Sequence, residues 1–261
     1  MTQRKPQIGI IGIGYVGGAV RNWFQKQKYP LFLYDKYKKI GSIKEVNKAD
    51  IVFICVPTPY HKRSGYDDSA VSDSIQKLYG SKIIVIKSTI LPGSTEKFQK
   101  KFTRHRILFN PEFLVAKIAK KDFLNPKRQI IGFTKQSERV AKKIFDVLPK
   151  SSYQKIIPAS EAEMVKYFGN AFLSTKVIFA NQIYDLCQKL KIDYDVVKEM
   201  ASQDSRIGPS HLKIFHSGYR GYGGACFPKD VKSLIQLAKN KKVNLKLLKT
   251  VDQINEDLMN K

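Results

Sequence analysis

The sequence predicts an α/β fold, with a Rossmann-type, mostly parallel sheet followed by an all-helical domain. Three observations support this prediction. An apolar strand runs directly into a glycine turn at residues 12–17, which a helical pattern follows. Continuous apolar runs, typical of strands buried on both faces, then recur along the first part of the chain. After Pro158 the pattern is helical almost throughout, so we expect a sheet domain at residues 1–158 and a helical domain at 159–261.

The individual elements follow from the spacing of apolar residues. Strands are predicted at residues 7–11, 31–34, 50–56, 81–86, 107–109, 129–133 and 155–157. Helices are predicted at residues 18–27, 137–148, 160–191, 193–200, 231–238 and 243–255, and residues 92–95 are predicted to open another helix. Ser160 and Glu163 have the spacing of a capping box, which predicts that together they begin the long helix. Only about a dozen residues separate Asp35 from the next strand, too few for a full crossover helix.

Composition narrows the class of protein. The chain has 261 residues, of which 43% are hydrophobic, and we find no apolar run long enough to span a bilayer. The glycines within residues 8–20 fit a strand and turn better than a signal peptide, so we expect a cytoplasmic protein. Cys55, Cys187 and Cys226 are widely separated and odd in number, which argues against a disulfide framework or a zinc site. No histidine spacing predicts a metal site.

The net charge of +25 admits anionic partners. The lysines are scattered in doublets such as Lys38-Lys39 and Lys241-Lys242, without a basic tail or a nucleic-acid motif. We therefore favour a lysine-rich solvated surface over a nucleic-acid interface, with attraction of an anionic small molecule as a second consequence.

The glycine turn has the context of a dinucleotide-binding fingerprint. Gly12 makes the tight turn, Gly14 lets the backbone approach a pyrophosphate, and Gly17 lets the helix meet the strand. Tyr15 and Val16 complete the motif and are expected at the cofactor. Asp35 follows at the end of the next strand, where it would accept hydrogen bonds from the ribose hydroxyls. This acid favours NAD over NADP, although Lys36 and Lys39 beside it keep NADP open.

Polar residues recur just beyond the apolar strands, which is how a parallel sheet presents a site along one edge. Pro57 and Thr58 follow one strand, Thr89 follows the next, and Glu112 follows a third. Each could be turn chemistry alone, but their recurrence predicts a site.

A second glycine-rich stretch leads to a single cysteine. Gly218, Gly221, Gly223 and Gly224 precede Cys226, and Pro228 then begins a predicted helix. A cysteine at a helix N-terminus beside Lys229 favours the thiolate and hence a nucleophile. The alternative is a turn followed by a buried cysteine.

The long helix carries a second candidate pair. Lys166 and Asn170 lie four residues apart on one face, among mostly apolar neighbours. This setting suits a partly buried amine directed into a cleft, although an ordinary exposed lysine remains the alternative.

These residues resemble the UDP-glucose/GDP-mannose dehydrogenase family, whose members oxidise the primary alcohol of a nucleotide sugar to a carboxylate with two NAD⁺. The matching blocks occur in order over nearly the whole chain. They are residues 12–17 (GIGYVG), 56–59 (VPTP), 87–89 (KST), 110–114 (NPEFL), 122–132, 163–173, 206–208 (RIG) and 221–230 (GYGGACFPKD).

The resemblance implies a role for each residue. Cys226 would be the nucleophile that forms a thiohemiacetal and then a thioester. Lys166 and Asn170 would stabilise the oxyanion, and Glu112 would be the general base. Asp230 would orient water, which Thr89 helps to hold. The remaining implied contacts are Pro57, Thr58, Thr89 and Lys229 with the cofactor, and Glu112, Phe113, Leu114, Lys166, Asn170, Arg206, Gly218, Tyr222, Gly223 and Gly224 with the substrate.

The resemblance also implies a homodimer through the helical domain, in which Arg206 reaches the substrate of the neighbouring subunit. Three features depart from the family. The helical insertion after Asp35 is largely missing, and Ala116 stands where a second glutamate is common. The chain stops at Lys261, without the C-terminal domain that grips the nucleotide, so we expect a truncated family member.

Other readings remain open. The chain could be an NAD-binding module that works with or regulates a partner chain without turnover of its own. A simpler β-hydroxyacid dehydrogenase would share the glycine fingerprint and the helices without requiring Cys226. A nucleic-acid-binding protein rests on charge alone.

Overall fold

The computed structural model describes residues 4–114, 118–216 and 218–260, so Ala116 lies outside the described residues. The chain divides into two compact units. The first, the sheet unit, comprises Met1–His61 and Asp67–Lys166. The second, the helical unit, comprises Lys62–Tyr66 and Tyr167–Lys261.

The sheet unit is built on eight strands in the order β10-β9-β8-β7-β4-β1-β2-β3. The pairings are parallel except for β2 with β3 and β8 with β9. The strands are β1 (Ile8–Ile11), β2 (Leu31–Asp35), β3 (Ile40–Gly41), β4 (Ile51–Ile54), β7 (Ile83–Ile86), β8 (Arg106–Phe109), β9 (Gln129–Phe133) and β10 (Gln154–Pro158). The chain proceeds from β1 to β2 on one side and returns to β4 on the other. The carboxyl ends of β1 and β4 therefore flank a topological switch point, where such sheets bind ligands.

Helices cover both faces of this sheet. They are α1 (Tyr15–Lys26), α2 (Ile43–Val46), α3 (Ser69–Gln76), α4 (Ser94–Lys101), α5 (Ala119–Leu124) and α6 (Glu138–Val147). Alternate residues of each central strand enter different apolar clusters. In β4, Phe53 packs with α1 and α6, whereas Val52 and Ile54 pack with α3 and α4. Burial on both faces explains why these strands read as continuous apolar runs.

The segment between β2 and β4 is short, as predicted. It contains only the two-residue strand β3 and the single-turn helix α2, which Ser42 caps by accepting a hydrogen bond from Glu45 N–H at 3.2 Å. The sequence did not predict α3, nor the two-residue strands β5 (Tyr60–His61) and β6 (Gly65–Tyr66).

The long helix α7 (Ala159–Leu190) begins in the sheet unit and continues into the helical unit. The other helices of the helical unit are α8 (Tyr194–Ala201), α9 (Phe227–Asn240) and α10 (Lys246–Met259). One apolar cluster joins α7, α9 and α10 through Ile178, Val231 and Val251. The boundary predicted after Pro158 coincides with the start of α7. The sheet unit, however, extends to Lys166.

The predicted capping box is wrong. Helix α7 begins at Ala159, so Ser160 is already inside it. The Glu163 carboxylate is directed instead at the start of α4, where it accepts hydrogen bonds from Gly93 N–H (2.6 Å), Thr95 N–H (2.8 Å) and the Thr95 hydroxyl (2.6 Å). A carboxylate is favoured at a helix N-terminus because the first N–H groups have no intrahelical partner. Glu163 thus ties α7 to α4.

Across the described part of the chain, no helix combines the length and the apolar character that crossing a membrane requires.

Candidate active site

The glycine turn has the geometry that dinucleotide binding needs. Gly12 has a φ of 86° and donates its N–H to the Tyr34 carbonyl at 2.8 Å. A Cβ on Gly17 would lie 1.8 Å from the Gly12 carbonyl oxygen, so only glycine lets α1 pack this closely. A Cβ on Gly14 would meet nothing within 4 Å, which leaves open space at the N-terminus of α1. Backbone N–H groups beside open space fit the pyrophosphate of a dinucleotide.

Asp35 ends β2, as predicted, and its carboxylate is 9% exposed. It accepts hydrogen bonds from three backbone N–H groups, those of Ile13 (2.7 Å), Lys38 (2.9 Å) and Tyr37 (3.0 Å). Burial opposes ionisation, but these bonds and the Lys38 charge outweigh it and hold the pKa of Asp35 below its usual value. Asp35 is therefore an ionised acid that supports the glycine turn directly.

The loops after β4 and β7 are joined through side chains. The Thr58 hydroxyl donates to the Thr89 carbonyl at 2.7 Å, and Ser88 donates to the Val56 carbonyl at 2.6 Å. Thr58 is 3% exposed while Pro57 is exposed. These bonds fix two strand ends beside the switch point.

Glu112 follows β8 and forms a buried ion pair. Its Oε1 lies 3.0 Å from the Nζ of Lys166, and the two side chains are 11% and 8% exposed. Glu112 Oε2 also accepts the Leu114 N–H at 2.8 Å. Burial alone would raise the pKa of Glu112, but Lys166 and the Leu114 N–H lower it below its usual value. The predicted partly buried amine at Lys166 is confirmed, and its partner is an ionised carboxylate.

Lys87 adds a second buried amine, to which the sequence assigned no role. Its Nζ donates to Asn110 Oδ1 at 2.6 Å, and Asn110 in turn donates to the Ile130 carbonyl at 2.8 Å. Burial lowers the pKa of Lys87 to about 8, although the charges of Cys55 and Glu112 oppose this. Lys87 and Glu112 both line a cavity of about 550 Å³. Phe113 and Leu114, predicted to contact the substrate, line it too.

In the helical unit, Cys226 is the N-cap residue of α9 and is exposed. The prediction that it precedes a helix N-terminus is confirmed, with Pro228 in the first turn. Asp230 lies one turn further, where its N–H donates to the Cys226 carbonyl at 3.0 Å. The Asp230 carboxylate is 1% exposed and accepts hydrogen bonds from Asn170 (2.6 Å) and Lys229 (2.5 Å). Four of the predicted catalytic and cofactor residues are therefore neighbours in this unit.

The loop before Cys226 is held by α10. Asn255 accepts the Tyr222 N–H at 2.6 Å and donates to the Tyr222 carbonyl at 3.0 Å. A Cβ on Gly221, whose φ is 77°, would lie 2.5 Å from Asn255 Oδ1. The Tyr222 ring is 3% exposed and packs in the apolar core with Phe227. The buried Tyr222 ring therefore anchors the loop, and a substrate contact at Tyr222 stays a prediction that would involve its backbone.

The other predicted substrate contacts of the helical unit are at the surface. Arg206 is exposed and paired with Asp204, through Nε and Nη2. Gly223 is half-buried and Gly224 exposed, and Gly218 has a φ of 87°. In the described part of the chain, histidine, cysteine and acidic side chains form no cluster that could hold a metal ion.

Comparison with known proteins matches this chain to two domains of one protein family. The NAD-binding domain of the UDP-glucose/GDP-mannose dehydrogenase family matches residues 34–148, and the central domain of the same family matches residues 160–257. The chain belongs to this family.

Individual relatives agree. The UDP-glucose 6-dehydrogenase of Rickettsia prowazekii is 34% identical over 224 residues, which cover 81% of this chain and 50% of the relative. A solved UDP-glucose dehydrogenase from Pyrobaculum islandicum superposes with a TM-score of 0.88 at 26% identity, over 98% of this chain and 69% of that one. The chain thus spans about half the length of the curated relatives it matches.

A second group of dehydrogenases shares the fold. The 3-hydroxyisobutyrate dehydrogenase of Mycobacterium tuberculosis superposes with a TM-score of 0.75 over 97% of this chain and 93% of that one, at 14% identity. This likeness concerns the fold alone.

Sequence reasoning found the glycine turn, Asp35, Glu112, Lys166 and the Cys226 helix. It missed Asn255 and Lys87. Asn255 lies 33 residues beyond Tyr222, in an amphipathic helix where nothing marks an asparagine as a loop anchor. For Lys87 a signal existed, since a lysine directly after a fully apolar strand is unusual in a buried sheet.

Proposed function

We propose that this chain is an NAD-dependent dehydrogenase that oxidises a primary alcohol of a nucleotide sugar twice, to the carboxylate, with Cys226 as nucleophile. One observation carries the proposal. Cys226 is exposed at the N-terminus of α9, one turn before a buried Asp230 that Asn170 and Lys229 hold. An N-terminal helix position favours a thiolate. The family matches support a nucleotide sugar as the substrate.

NAD⁺ would supply the hydride acceptor, with one molecule consumed in each of the two oxidations. In the first, the alcohol loses a hydride to NAD⁺ and its hydroxyl proton to water, and becomes an aldehyde. The Cys226 thiolate then attacks the aldehyde carbon, and the resulting thiohemiacetal keeps the aldehyde from escaping. The second hydride leaves this carbon to give a thioester. Water cleaves the C–S bond, which releases the carboxylate and restores the thiolate.

The remaining residues take roles that their environment supports. The ammonium of Lys166 and the amide of Asn170 would stabilise the oxyanion of the thiohemiacetal. Glu112 is ionised, as a general base must be, and would take a proton from the hydrolytic water. Asp230 would orient that water, and Thr89 would help to hold it.

We further propose that the chain forms a homodimer through the helical unit. Helix α7 exposes large apolar side chains along one stripe, at Phe168, Phe172, Phe179, Leu186 and Leu190. The rings of Phe168 and Phe172 are stacked, with centroids 6.5 Å apart. A second copy would cover this stripe, since contiguous exposed apolar surface of this kind marks an interface. Light scattering at micromolar concentration should give twice the chain mass, whereas Phe172→Glu should give a monomer. A wild-type monomer would refute the dimer.

One alternative is a cytoplasmic NAD-binding module that works with a partner chain. The chain spans about half the length of the curated relatives it matches, and residues 34–148 match the NAD-binding domain of the family. Such a module would bind NAD without turnover of its own.

The test is an NADH absorbance screen over nucleotide sugars, with Cys226→Ala as the blank. NADH formation that requires Cys226 supports the dehydrogenase. NAD binding by calorimetry without NADH from any nucleotide sugar or sugar aldehyde supports the module. NADH formation that persists in Cys226→Ala refutes the cysteine mechanism and favours a simpler alcohol dehydrogenase.

A further inference from the structure

The turn between β2 and β3 leaves Asp35 little capacity for a ligand. A carboxylate has about four lone-pair positions for hydrogen bonds. Three are occupied, because Oδ2 accepts the Ile13 N–H and Oδ1 accepts those of Tyr37 and Lys38. An acid that binds both ribose hydroxyls of NAD needs more free positions than this.

Lys38 binds the other backbone polar group of the same residue, Ile13. Its Nζ donates to the Ile13 carbonyl at 2.6 Å, so Asp35 holds the N–H of Ile13 and Lys38 holds its C=O. An ammonium has three donors, and this bond uses one. Lys38 therefore places a positive charge with donors to spare against the central residue of the glycine turn.

The charge of this turn is positive. Lys36, Lys38 and Lys39 are all exposed, and Asp35 is the only acid among residues 35–39. The net charge of these three lysines and one aspartate is +2, which can balance a phosphate monoester of about −2 at neutral pH. A 2′-phosphate beside an acid alone would be repelled, whereas here the Lys38 ammonium is held on the same turn through its bond to Ile13.

We infer that the adenosine end of this cofactor site accepts a 2′-phosphate, so that the chain binds NADP⁺ as well as NAD⁺, with Lys38 as the residue that pairs with the phosphate. The inference rests on the proposed binding of a dinucleotide at the glycine turn, but not on turnover. It makes Lys38, rather than Asp35 alone, the determinant of cofactor choice.

Titration calorimetry with NAD⁺ and NADP⁺ tests this. We expect NADP⁺ to bind within about tenfold of NAD⁺. Lys38→Ala should weaken the binding of NADP⁺ about tenfold or more, because one charge-assisted hydrogen bond is lost. It should weaken the binding of NAD⁺ much less. Lys143→Ala removes the same charge from an exposed position on α6 and should change neither. Raising the salt concentration should weaken the binding of NADP⁺ more than that of NAD⁺.

Two fragments separate the phosphate from the rest of the cofactor. Adenosine 2′,5′-bisphosphate should compete with NADP⁺ better than adenosine 5′-monophosphate does, and Lys38→Ala should remove that advantage. Equal weakening of both dinucleotides by Lys38→Ala would mean that Lys38 only supports the turn, and would overturn the inference. So would NAD⁺ binding with no detectable NADP⁺ binding. If neither dinucleotide binds, the proposed function fails as well.

Discussion

Replacing Glu163 by glutamine tests how the start of α7 is held in the sheet unit. Glu163 is fully buried, and its carboxylate accepts three hydrogen bonds at the N-terminus of α4. Burial raises the pKa of Glu163 from 4.5 to about 7, although the hydrogen bonds from Thr95 and Gly93 oppose this. The folded state therefore binds a proton more tightly here than the unfolded state does.

The sign and size of the effect follow from this difference. Stability contributed by a raised pKa is fully present below the unfolded value and is lost as pH rises through the folded value. A shift of this size corresponds to about 3 kcal/mol, since one pKa unit is about 1.4 kcal/mol. Glutamine does not titrate. The free energy of unfolding of the wild type, relative to Glu163→Gln, should therefore fall by about 3 kcal/mol between about pH 4 and pH 8.

The single tryptophan makes the assay specific to this unit. Trp23 lies in α1 and donates its Nε1–H to the Val147 carbonyl at 2.8 Å, so its fluorescence reports on the sheet unit. Urea unfolding would be followed at several pH values for the wild type and Glu163→Gln. Glu161→Gln, the same change at an exposed position of α7, is the matched control. A wild-type advantage over Glu163→Gln that stays flat or grows with pH would refute the reasoning.

Three further substitutions test the glycine turn and the loop before Cys226. Gly17→Ala should destabilise the sheet unit by roughly 2 kcal/mol or more in the same assay, because its Cβ would meet the Gly12 carbonyl oxygen at 1.8 Å. Gly14→Ala, which meets nothing, should leave stability unchanged and weaken dinucleotide binding in calorimetry; equal destabilisation by both would contradict the assignment. Asn255→Ala should lower helical-unit stability by about 1–3 kcal/mol in circular dichroism, since it leaves both backbone groups of Tyr222 unpaired. Unchanged stability would show that this pair does not hold the loop.

Local patterns predicted the elements that their own residues determine. Helix α7 was expected at residues 160–191 and spans Ala159–Leu190, because apolar spacing over so many turns has one interpretation. Strand β9 matches its prediction at both ends, since a buried strand between polar segments is equally unambiguous.

Contacts between residues distant in sequence determine the features that local patterns could not predict. Glu163 has the spacing of a capping box, yet it stabilises Gly93 and Thr95, about 70 residues away. The free N–H groups of α4 and the burial of Glu163 determine this contact. Neither can be inferred from the sequence around Glu163. Asp35 was expected to bind the ribose, and the sequence did not predict that its carboxylate also accepts the N–H groups of Tyr37 and Lys38. The strands β5 and β6 have two residues each, too few for any periodicity.

The most direct test of Cys226 as nucleophile is to look for a covalent intermediate on its sulfur. Glu112→Gln removes the proposed base for thioester hydrolysis and should let the acyl-enzyme accumulate. After incubation with NAD⁺ and a nucleotide sugar that gives NADH, acid quenching and peptide mass spectrometry should find the acyl group on the peptide that contains Cys226. Formation of NADH with no adduct on Cys226 would contradict the account.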